Sequence, residues 1–152
     1  MDRIAQTCRV AETLAGGRLA PTVRQIEERL EEPLRVAIAG RVKAGKSTLM
    51  NALVGERLAA TDAGECTRIV TWYRQGLTYS VRAMLRDGSD SELRFARDDG
   101  ALNIDLGSLA AERVDRLEVR WPSARLERIT LIDTPGLESL DEDRSHRTKV
   151  LL

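Results

Sequence analysis

Gly40-Arg41-Val42-Lys43-Ala44-Gly45-Lys46-Ser47 sets two glycines with four residues between them and follows the second with a lysine and a hydroxyl. That pattern suits a backbone loop curled around phosphate. Glycine permits the curl, successive amides and the N-terminus of a following helix offer positive dipoles, and the lysine adds a full charge. Gly40, Val42, Lys43, Ala44, Gly45, Lys46, Ser47 and Thr48 are therefore the expected nucleotide-contacting residues, with the Ser47 hydroxyl a magnesium ligand. Asp133-Thr134-Pro135-Gly136 forms a second constellation at the end of an apolar run. There a carboxylate can hold a magnesium-bound water, and the Gly136 amide can reach a terminal phosphate. A third element is a threonine that senses the terminal phosphate through magnesium. Thr61 and Thr67 both lie in the polar stretch 56–68, and Thr67 is preferred.

These groups need a scaffold. Residues 34–39 are apolar and rich in branched side chains, which predicts a buried parallel strand running into the glycine loop, and a helix is expected over 46–54 with Gly55 ending it. Strands are expected over 69–73, 79–85 and 92–96, with residues 86–90 turning between the last two. A helix is expected at 108–114 and strands at 116–120 and 128–132, the last leading directly into Asp133. Before the glycine loop, residues 2–15 and a second segment with Pro21 in its first turn read as helices, ended by Glu31, Glu32 and Pro33. The expected fold class is α/β, a three-layer phosphate-loop fold with an N-terminal helical segment over 1–32 and the nucleotide-binding part over 33–152.

Composition narrows the function classes. The 152 residues are 42% apolar and 32% charged, enough to bury one core. Lys plus Arg and Asp plus Glu each total 24, so no global field selects nucleic acid as a partner, and none is expected. Cys8 and Cys66 are far apart and are read as free thiols of a reducing, cytoplasmic compartment. No apolar run approaches the roughly 18 residues of a membrane span. Trp72 and Trp121 are read as packing residues, and His146, between charged neighbours, as part of a solvated face.

LRVAIAGRVKAGKSTLMNALVG, then Cys66-Thr67-Arg68, then LIDTPGL resembles the dynamin superfamily of GTPases, and its bacterial members in particular, over about residues 34–140. Compact Era-like GTPases share the GKSTLMNAL stretch, but in them the switch threonine lies only a short way before DTPG. Here the whole stretch 68–132, rich in strands, separates Thr67 from Asp133. The dynamin-type resemblance implies GTP and GDP as ligands, Mg2+ as cofactor, self-association through the GTPase domain, and lipid contact through regions outside this chain, with peripheral membrane association. It implies that Ser47, Thr67 and Asp133 serve the metal. It also implies that residues 1–32 are the first helices of a bundle that transmits nucleotide state.

Two departures shape the expected chemistry. Leu137 stands where Ras-like enzymes orient water with a glutamine, and Lys43 stands where dynamin-like relatives place a serine and guanylate-binding relatives an arginine. Lys43 is therefore expected to supply catalytic positive charge, alongside Thr67. The guanine-reading Asn/Thr-Lys-x-Asp motif is absent up to Leu152, and the resemblance makes the chain a fragment of a longer domain. A doubly wound sheet ending after the DTPG strand would leave the phosphate-loop strand open on one side, favouring self-association. The alternatives are a compact ribosome- or RNA-associated GTPase and a nucleotide-sensing interaction module without activity.

Overall fold

The structure is a computed structural model and describes residues 2–14, 20–41, 43–58, 69–98 and 101–135. The chain divides into two units, Met1–Leu34 and Arg35–Leu152. In the first, helix α1 (Asp2–Leu14) packs against helix α2 (Ala20–Glu31). Val23 is buried, while Ile4, Val10, Leu14 and Ile26 remain exposed. No described helix is long and apolar enough to cross a membrane.

The second unit is built on a seven-stranded mixed sheet. Its strands are β1 (Leu34–Ile38), β2 (Thr71–Gln75), β3 (Ser80–Leu85), β4 (Asp90–Asp98), β5 (Ala101–Asp105), β6 (Val114–Trp121) and β7 (Ile129–Asp133), in the order β1-β7-β2-β6-β3-β4-β5. β2 runs parallel to β6 and antiparallel to β7, and β3 is antiparallel to both β4 and β6. Helix α3 (Lys46–Val54) follows β1.

Register gives the sheet two unlike faces, because side chains alternate along each strand. Leu131, Tyr73, Val119, Val81 and Leu93 line up as one transverse row. That row joins Met50 and Val54 of α3, Leu58, Trp121 and Leu126 in the main core. The adjacent row on the opposite face reads Ile132, Trp72, Glu118, Arg82 and Glu92. There the guanidinium groups of Arg35, Arg74 and Arg116 lie 4.8–5.0 Å from the Trp72 ring centre. Arg116 donates to Glu118 at 2.9 and 3.1 Å, and Arg82 pairs with Asp90. Both tryptophans are buried, as packing residues should be.

Three expectations change. β1 has the expected open side, ending the sheet among the described residues, but it is less buried than its composition suggests: only Ile38 is buried, while Leu34 is 68% exposed. A strand with a neighbour on one side alone cannot be enclosed on both edges. The described sheet is mixed, within the expected α/β class. The helix expected at 108–114 is a single 3-10 turn, Ala111–Arg113, because Val114 is already captured by the sheet opposite Leu85. β5 was not expected, although Leu102 and Ile104 alternate inward and pair with Arg97 and Phe95. The remaining strands fall within a few residues of their expected limits, β2 starting two residues late, with Ile69 buried ahead of the ladder.

Candidate nucleotide-binding site

β1 delivers the chain to Gly40, and α3 carries it away from Gly45. Between them the Ala44 amide donates to the Arg41 carbonyl at 3.2 Å, closing a turn. Gly45 caps α3 with φ 85° and ψ 15°, a left-handed conformation that favours glycine, and its carbonyl accepts from the Leu49 amide at 2.9 Å. Lys43 is the one described non-glycine residue with positive φ, at 62°. A lysine held there stores on the order of 1 kcal/mol. A Cβ at Gly40 would meet the Ala44 and Lys46 side chains at 3.7 Å, an ordinary contact, so the protein's own packing does not demand glycine at that position.

The electrostatics are one-sided. No side chain caps the N-terminus of α3 and no acid lies in its first turn, so its positive dipole end is not offset locally. The Lys46 ammonium folds back over the loop and donates to the carbonyls of Gly40 and Arg41, each at 3.2 Å. Asp133, at the end of β7, has its Oδ1 buried without a hydrogen-bond partner. Burial raises its pKa to about 6, against the opposing pull of the Lys46 charge. On the neighbouring backbone, the buried Thr134 hydroxyl donates to the Ile38 carbonyl at 3.0 Å.

An orphaned carboxylate oxygen is a donor of the kind that suits a hard divalent cation. Among the described residues no group of three or more His, Cys, Asp or Glu could hold a metal by itself. Magnesium binds through one or two protein oxygens and completes its shell with phosphate and water. Asp133 and the half-buried Ser47 hydroxyl are the described groups of the right chemistry.

Of the residues singled out from sequence, Gly40, Lys43, Ala44, Gly45, Lys46, Ser47 and Thr48 share the loop and the first turn of α3, and Asp133 lies within electrostatic reach of Lys46. Val42, Thr61, Cys66, Thr67, Gly136, Leu137 and His146 lie outside the described residues. Sequence reasoning missed the support of the site. Arg125 Nη1 donates to the carbonyls of Ala52 at 2.9 Å and Leu53 at 3.4 Å, tying down the C-terminal end of α3. Nothing in the local pattern around Arg125 announces that cap. For Thr134 the only signal was Pro135, which removes the next backbone donor.

A strand, a glycine loop and a helix, with the loop's lysine turned back over its carbonyls and an acid ending a strand nearby, define a P-loop nucleotide-binding fold of the GTPase type. The profile of the Dynamin family matches residues 36–151, and the chain belongs to that family. It is 47% identical over 150 residues to isoniazid-induced protein IniC of Mycobacterium tuberculosis, covering 92% of this chain and 30% of IniC. It is 32% identical to the bacterial dynamin-like protein of Nostoc punctiforme, covering 93% of this chain and 23% of the relative. A solved chain from an oligomerised bacterial dynamin pair, described as sensing and tethering membranes over long range, superposes with a TM-score of 0.56 at 26% identity, covering 88% of this chain and 21% of its own length. The chain thus spans under a third of the length of these relatives.

The raised pKa of Asp133 gives a signed expectation. A folded-state pKa above the ordinary 3.8 means that this group's contribution to stability is fully present below pH 3.8 and is lost as pH rises through about 6. Asp133→Asn should therefore be more stable than wild type at pH 7.5, by up to about 2–3 kcal/mol, with the gap closing towards pH 4. Urea unfolding across that range checks it, and a variant less stable at pH 7.5 contradicts it.

Proposed function

We propose that this chain binds GTP with magnesium and forms the phosphate-binding part of a dynamin-type GTPase that works at membranes. The observation that carries the reading is the Lys46 ammonium folded over the loop at the uncapped start of α3, with the partnerless Asp133 oxygen in its field. The loop amides from Gly40 to Thr48, Val42 included, cradle the phosphates, and Lys46 turns from its own carbonyls to phosphate oxygens. Ser47, Asp133 and Thr67 serve magnesium, and the Gly136 amide meets the terminal phosphate. Bound magnesium supplies charge neutralisation between phosphate oxygens.

Residues 1–32 act as a helical segment that transmits nucleotide state, and the GTPase part at 33–152 self-associates. Membrane action comes to this reading from the bacterial dynamin pair described as sensing and tethering membranes. A compact RNA-associated GTPase is less well supported. The similarity to GTPase Der of Bradyrhizobium, 58% identity over 77 residues, covers only 47% of the chain, whereas the Dynamin family match runs from 36 to 151.

Titrating the folded chain with fluorescent GTP and magnesium tests the reading. Saturable binding that unlabelled ATP does not displace is expected, and Lys46→Ala should weaken it by about 10- to 100-fold, as for loss of a charged hydrogen-bonding group. Equal affinity in folded wild type and variant would sink it.

Lys43 is the proposed source of catalytic charge, held at an exposed point of the loop in a left-handed conformation. Hydrolysis should proceed without added potassium or sodium and fall about 100-fold in Lys43→Ala, the scale of one lost transition-state contact. A strict potassium or sodium requirement in the wild type refutes that assignment.

A further inference from the structure

β7 ends at Asp133, and the two residues after it, Thr134 and Pro135, are buried. Proline has no N–H, so the backbone at 135 cannot continue donating along a ladder. The Thr134 side chain donates instead, its hydroxyl meeting the carbonyl of Ile38, the last residue of β1, at 3.0 Å. The bond links positions 96 apart in sequence and lies where the two strands finish. Two residues beyond Ile38 stands Gly40; one residue before Thr134 stands Asp133. Since β7 is the only neighbour of β1 in the described sheet, this pair of strand ends bears directly on the placing of the phosphate loop relative to Asp133, beside the packing of α3 on β7.

We propose that Thr134 is a positioning residue whose hydroxyl clips the end of β7 to the end of β1, and so sets how strongly magnesium tightens nucleotide binding. The inference rests on the nucleotide site proposed above. Thr134 touches neither phosphate nor metal in this account; it acts through Asp133. A threonine of merely structural worth would lower affinity equally with and without magnesium when replaced. A positioning threonine leaves the loop's own phosphate contacts intact and selectively removes the gain that magnesium confers.

Thr134→Val keeps the shape and deletes the donor, leaving the Ile38 carbonyl without this bond; Thr134→Ser keeps the donor. The affinity of each for fluorescent GTP is to be measured in magnesium and in EDTA, beside wild type. The ratio of the two affinities should fall about tenfold in Thr134→Val, the worth of one buried hydrogen bond, and recover in Thr134→Ser. Affinity in EDTA should stay within about twofold. In nucleotide-free protein, amide exchange at the ends of β1 and β7 should quicken by about tenfold in Thr134→Val, while Leu117 and Val119 of β6 keep wild-type rates. If Thr134→Val does not fold, Thr134→Cys, with its weaker donor, should give an intermediate ratio. An unchanged ratio, or equal losses in magnesium and EDTA, overturns the inference while leaving the nucleotide site standing. Absence of binding by folded wild type overturns both.

Discussion

The Lys46 ammonium is the charge around which the loop is arranged, and among the described residues no carboxylate is hydrogen-bonded to it. It rests on two backbone carbonyls, and Asp133, which feels its charge, is pushed towards its neutral form by burial. A helix N-terminus without a side-chain cap adds to the same positive field. Such an arrangement costs stability in the empty protein, through the buried carboxylate and the left-handed backbone at Lys43. An anion with a divalent cation would offset both costs together, which is the physical content of the assignment to a nucleotide site.

The sheet holds these groups at fixed places by dividing labour between its faces. Asp133 lies on the same face as Leu131, two residues before it, and hence on the side where Met50 and Val54 of α3 pack. The opposite face carries the arginines around Trp72, where stacking and ion pairs replace aliphatic packing. At the far end of α3, Arg125 and the left-handed Gly55 satisfy terminal carbonyls, so the helix that starts at the phosphate loop is anchored at its other end.

The parts of this architecture visible in the sequence are those encoded by residue type at short spacing. The loop from Gly40 to Ser47, helix α3 and the strand leading to Asp133 all declare themselves within a few residues. The misread parts are decided by distant partners. Residues 108–114 have a helical composition, yet pairing of Val114 with Leu85 holds them to one 3-10 turn. β5 is short and is interrupted by Asn103, and only the facing β4 makes it a strand. β1 looks buried from its composition, but burial is a property of its neighbours. Thr134 and Arg125 are polar residues whose partners lie 96 and 73 positions away, a distance at which local pattern carries no signal.

The central claim is that phosphate and magnesium meet this chain at one place, between the start of α3 and the end of β7. Backbone amide shift mapping, with a non-hydrolysable GTP analogue and magnesium added to the isotopically labelled chain, tests that claim most directly. The account predicts that the largest shifts cluster at Gly40 to Thr48 and at Asp133 and Thr134, with the strands β4 and β5 unmoved. Shifts centred on the arginine-rich face around Trp72, with the loop from Gly40 to Thr48 unchanged, would contradict it.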